Sequence, residues 1–130
     1  MLPIIAGFTD YLANERHFSH YTARCYGADL RQYVEFIANE ANLEVIDANE
    51  STAYQRALDG GSTAVAATIV PNTVTKLICN GTPDTIREFL AELGTKEYSA
   101  ATMARKIATL RSFYKLSLIH ISEPTRRYAI

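Results

Sequence analysis

Cations are the side chains in this sequence best equipped for chemistry, and they are unevenly placed. Residues 95–116 hold Lys96, Arg105, Lys106, Arg111 and Lys115 against one acid, Glu97, whereas residues 1–94 hold six basic and twelve acidic side chains. The formal net charge is −1, so basic character is confined to one segment. Lys and Arg gathered in this way can meet phosphate oxygens, the electrostatic footprint of a nucleic-acid contact; the same run also reads as a solvated helix face.

Other chemistry finds little footing. Cys25 and Cys79 form no CxxC pair, and His17, His20 and His120 do not stand at metal-ligand spacing from either, so two half-buried free thiols are expected, with no metal and no cofactor. A glycine-rich phosphate loop, a Gly-x-Ser-x-Gly elbow and a His-Glu-x-x-His pair are all missing from the sequence. Asp10 and Glu15, like Glu88 and Glu92, read as helix-surface acids rather than paired catalytic carboxylates. Apolar runs stay well short of the roughly 18 residues that cross a bilayer. Met1-Leu2-Pro3-Ile4-Ile5 also lacks the basic and apolar regions of a signal peptide. The expectation is a soluble, cytoplasmic protein with no membrane partner.

The elements that must position the cations are helices. Ile5, Phe8 and Leu12 recur at helical spacing and predict a helix over 3–15, with Pro3 tolerated in the first turn. Ser19 is a good N-cap for a long helix over 20–40, with Thr22, Tyr26, Leu30, Tyr33 and Ile37 on one side and Arg24, Arg31 and Glu35 elsewhere. Thr82 as N-cap, Pro83, Asp84 and a closing Gly94 bound a third, with Ile86, Phe89, Leu90 and Leu93 inward. Ser99 caps a fourth over 100–116, whose stripe is Met103, Ile107, Leu110 and Tyr114, with Phe113 on one shoulder. On that helix Arg111 and Lys115 take the other shoulder, Arg105 lies nearly opposite the stripe and Lys106 beside Phe113.

Residues 41–81 break this regularity. Glu50 to Leu58 fit a short helix stopped by Asp59-Gly60-Gly61. The Thr, Val and Ile of 63–79, around Pro71-Asn72, fit two short strands and a turn as well as they fit an irregular loop with apolar anchors. The expected architecture is all-α: a four-helix bundle in one domain over 1–116, carrying an irregular, partly β insertion at 41–81.

Two segments carry a resemblance. Phe8-Thr-Asp-Tyr-Leu-Ala-Asn-Glu-Arg16, followed by Ser19-His-Tyr-Thr22, Tyr26 and Asp29-Leu30-Arg31-Gln-Tyr33, resembles the opening of the core-binding, SAM-like N-terminal domain of phage integrases and Xer-type tyrosine recombinases. Thr82-Pro83-Asp84-Thr-Ile-Arg-Glu-Phe89-Leu90-Ala-Glu-Leu93, then Ser99-Ala-Ala-Thr102-Met-Ala-Arg105-Lys106-Ile-Ala-Thr-Leu110-Arg111-Ser112-Phe113-Tyr114-Lys115, resembles its second half. The family implies a SAM-like orthogonal bundle that forms one arm of a clamp on double-stranded DNA. Its partners would be a separate C-terminal catalytic domain and other recombinase protomers on DNA.

Carried onto this sequence, that resemblance makes Thr22, Arg24, Arg31, Thr102, Arg105, Lys106, Arg111 and Lys115 the candidates for DNA contact, meeting phosphates without necessarily reading bases. It also implies that this chain is not itself an enzyme: the tyrosine nucleophile and the His-x-x-Arg segment of the family's catalytic domain have no counterpart here, and Tyr128 does not stand in the expected setting. The chain departs from the family in its long 41–81 connection and in its acidic first 94 residues, which would have to face away from DNA. The stretch 117–130 resembles translated adapter sequence and is expected to be a non-native or disordered tail. The alternative to a DNA-binding arm is a helical protein–protein interaction module that does not bind DNA.

Overall fold

The computed structural model describes residues 2–58, 73–79 and 83–117. Among them are six α-helices: α1 Pro3–Asn14, α2 His20–Glu40, α3 Asp47–Leu58, α4 Val74–Cys79, α5 Pro83–Gly94 and α6 Ala100–Ser112, the last running into a π-helical turn over Phe113–Ser117. The class is all-α as expected, but the four-helix count and the partly β insertion are corrected: there are two further helices and no strand among the described residues. The expected strand residues before Thr73, the Thr82 cap and the tail beyond residue 117 lie outside the described residues.

The helix starts follow from local chemistry. The Ser19 hydroxyl oxygen accepts the Thr22 N–H at 3.1 Å and donates to the Thr22 hydroxyl at 2.9 Å. Ser99 repeats this on Thr102 at 3.1 and 3.0 Å. Each N-cap thus satisfies one of the amides that a helix start leaves without an intrahelical partner. At the far end of α2, Asn42 takes a left-handed φ of 54°. The Leu43 N–H turns back to the Ala38 carbonyl and the Asn42 N–H to that of Asn39, a Schellman closure in which Asn replaces the usual glycine.

Helix α4 explains the misread strand. Val74, Thr75 and Ile78 are β-branched and favour strands in isolation, yet all three are buried in a helix. Two side chains hold its start. The Thr73 hydroxyl accepts the Lys76 N–H at 3.0 Å, and the carboxylate of Glu50, on α3, accepts the N–H groups of Val74 and Thr75 at 2.9 Å each and the Thr75 hydroxyl at 2.6 Å. Val74 and Ile78, four apart, then enter the same core as α1 and α2, so tertiary packing overrides propensity. The described part of the insertion is therefore packed into the core through Tyr54, Val74 and Ile78.

That core is built around rings. Phe8 meets Phe113 edge to face at 5.4 Å, and Tyr33 meets Phe89 at 5.0 Å. The Tyr33 and Tyr114 hydroxyls lie 2.8 Å apart. Of the expected core residues Tyr33, Phe89, Leu110 and Phe113 are buried, while Tyr26 and Tyr114 are half-buried. Helix α1 lies close on α2 because Gly27 has no side chain: a Cβ there would sit 2.6 Å from Thr9 Cγ2.

Candidate nucleic-acid interface

The eight candidate residues fall into four settings. Thr22 and Thr102 are half-buried members of the two N-caps. Arg24 and Arg31 are exposed on one face of α2, where with Leu2, Ile5, Gly27 and Val45 they line an open groove of about 480 Å³ against α1. Arg111 and Lys115 are exposed at the end of α6 and in the π-helical turn, and neither has a carboxylate partner among the described residues.

Arg105 and Lys106 differ from the others. They turn toward Asp29, which is 3 % exposed and stands on a second face of α2, away from Arg24 and Arg31. Arg105 donates from Nε to Asp29 Oδ2 at 2.9 Å and from Nη2 to Oδ1 at 3.0 Å. Lys106 Nζ donates to Asp29 Oδ1 at 2.9 Å and to Gln32 Oε1 at 2.7 Å. The Thr109 hydroxyl shares its proton between Asp29 Oδ2 and the Arg105 carbonyl. Gln32 completes the network by donating to the Tyr98 hydroxyl at 2.9 Å, and Lys106 Nζ lies 4.9 Å from the Tyr98 ring centroid, a cation–π contact.

Electrostatics decides what such a cluster can hold. Burial alone would raise the Asp29 pKa; the hydrogen bonds from Arg105 and Lys106, with the Lys106 charge and Thr109, outweigh it and hold the carboxyl below its ordinary value. Asp29 therefore stays ionised, and its oxygens are filled by donors from α6. The ammonium of Lys106 is enclosed by Asp29, Gln32 and Tyr98, and its residue is buried. That corrects the inward face of α6: it is Lys106, Thr109, Leu110 and Phe113, with Met103, Ile107 and Tyr114 only half-buried.

Sequence reasoning missed Asp29, Gln32, Tyr98 and Thr109. A signal for Asp29 was present: Tyr26, Asp29 and Tyr33 stand at helical spacing, which puts an acid on the inward side of the helix. The thiols fall as expected, free and half-buried; burial pushes the Cys79 thiol up to about 11, leaving it protonated and unreactive at neutral pH. None of the helices among the described residues is long and apolar enough to cross a membrane.

Comparison with known proteins places the chain in a family. The family model described as "Phage integrase, N-terminal SAM-like domain" matches residues 5–71 and 52–118. Tyrosine recombinase XerC of Listeria innocua serovar 6a is 32% identical over 111 residues, 85% of this chain and 26% of that protein. The protein of the same name from Anoxybacillus flavithermus is 27% identical over 111 residues, with the same coverage of each chain. That of Listeria monocytogenes serotype 4a is 33% identical, again over 85% of this chain and 26% of its own length. This chain thus spans about a quarter of the length of the curated relatives it matches. No solved structure matches it.

Proposed function

We propose, from the premise that this chain belongs to the phage integrase N-terminal SAM-like domain family, that it is the DNA-binding arm of a site-specific tyrosine recombinase. In this reading residues 1–116 hold duplex DNA without cutting it, and a catalytic domain and other protomers complete the clamp.

The observation that best supports DNA contact is the sorting of the cations. Arg24, Arg31, Arg111 and Lys115 are exposed and have no carboxylate partner among the described residues, and Arg105 retains an exposed edge. Cations in that state can release counterions from phosphates, which gives affinity without sequence readout. Thr22 and Thr102, in the first turns of α2 and α6, add hydroxyl groups. Lys106 is assigned to the interface only indirectly, through Asp29.

The test is binding of the full chain to duplex DNA across a salt series, beside Arg24→Ala/Arg31→Ala/Arg111→Ala/Lys115→Ala. The expected result is binding that falls steeply with salt and is nearly lost in the quadruple variant, with no strand cleavage by either protein. A folded wild type that fails to bind at low salt would overturn the DNA reading and leave the α1/α2 groove as a protein-binding surface.

A further inference from the structure

We propose that Asp29 is a positioning residue for phosphate contact: it grips the Arg105 guanidinium by one edge so that the other edge faces the DNA backbone. This rests on the DNA-binding reading above. A guanidinium offers two edges that match a pair of acceptor oxygens, one formed by Nε with a terminal nitrogen and one by the two terminal nitrogens. Asp29 takes the first edge, through Nε and Nη2. Nη1 has no acceptor among the described residues, yet no buried side-chain nitrogen or oxygen there lacks a partner. The Arg105 side chain is 40% exposed, so Nη1 faces solvent and the second edge is open.

Charge counting gives Lys106 its part. An Asp that holds an Arg ordinarily cancels it and presents a carboxylate to an approaching phosphate. Here Asp29 is shared by two cations, so the trio of Asp29, Arg105 and Lys106 keeps one net positive charge. The carboxylate and the ammonium are buried, at 3% and 9% side-chain exposure, so the outward part of that charge is the free guanidinium edge. A fixed guanidinium loses less freedom on meeting a phosphate than one on a free side chain.

Two variants separate position from charge. Asp29→Asn/Lys106→Met leaves the net charge unchanged and removes the grip along with the buried ammonium that would otherwise lack a partner. Asp29→Glu keeps every charge and displaces the guanidinium by one methylene. Duplex DNA binding of the full chain is measured across a salt series, with helix content by circular dichroism as the folding control. The double variant is expected to bind about tenfold more weakly at low salt, with a salt slope smaller by about one, as when a charge-assisted phosphate contact is lost. Asp29→Glu is expected to weaken binding several-fold. Wild-type affinity and slope in either folded variant overturn the proposal while leaving the DNA reading intact, and Asp29→Glu decides alone if the double variant does not fold. A wild type that does not bind overturns both.

Discussion

Two carboxylates are buried among the described residues, and they are satisfied in different ways. Asp29 joins α2 to α6 and is held by two cations and a hydroxyl. Glu50 joins α3 to α4 and is held by two backbone amides and a hydroxyl, all neutral donors. The first device ties together helices that their own stripes and caps already specify. The second supplies the start of a helix, Val74–Cys79, that its β-branched residues would not form alone. Breaking Asp29 therefore leaves a buried cation uncompensated across the centre of the bundle, whereas breaking Glu50 releases a short segment from its cap.

The largest expected effect is that of Asp29→Ala. Removing one member of a buried ionic set costs about 3–5 kcal/mol, a large part of the roughly 5–15 kcal/mol available to a domain, and should appear as a global loss in urea unfolding. Glu50→Ala should cost less, about 2–3 kcal/mol for amides left without their acceptor. Its signature is local: faster hydrogen exchange over 73–79 with α6 unaffected. If Glu50→Ala lowers protection in α6 as much as in α4, the two devices are not separable and the comparison fails.

Acid sharpens the contrast. The folded Asp29 pKa is lowered relative to an unfolded value of about 3.9, so its contribution is fully present above about pH 4 and is lost as pH falls through the lower folded value. Thermal unfolding followed from neutral pH to about pH 2 should show this loss in the wild type. Asp29→Asn/Lys106→Met should follow a flatter curve over the acid limb. The smallest effect lies outside both devices. His17 holds φ 58° in the link between α1 and α2, so His17→Gly should relieve a left-handed residue and leave stability unchanged or higher by up to about 1 kcal/mol, read as a small upward shift in Tm.

The sequence made some of these features plain and hid others. Ser19 and Ser99 announce their helices because an N-cap acts within three residues, and the aromatic positions 33, 89 and 113 announce the core because their spacing is helical. Helix α4 is hidden because its residues are β-branched and because, beside the local Thr73 cap, its first two amides are held by Glu50, 24 residues before Val74, a contact no local pattern encodes. Lys106 illustrates the same limit at the site. Charge alone groups it with Arg111 and Lys115, and only the long-range approach of Asp29 and Gln32 separates a buried tether from an exposed cation.

That separation is the centre of the account, and one paired measurement tests it most directly. Lys106→Met and Arg111→Ala each remove one positive charge from α6, and for each the stability and the salt slope of duplex DNA binding are recorded with the full chain. The account predicts that Lys106→Met lowers stability by about 1–3 kcal/mol, since Gln32 and Asp29 lose a buried donor, with any fall in slope accompanying that loss because Asp29 then neutralises Arg105. Arg111→Ala should leave stability within about 0.5 kcal/mol and reduce the slope by about one. A Lys106→Met protein of wild-type stability whose salt slope falls like that of Arg111→Ala would contradict it, because Lys106 would then be one more cation on the DNA face.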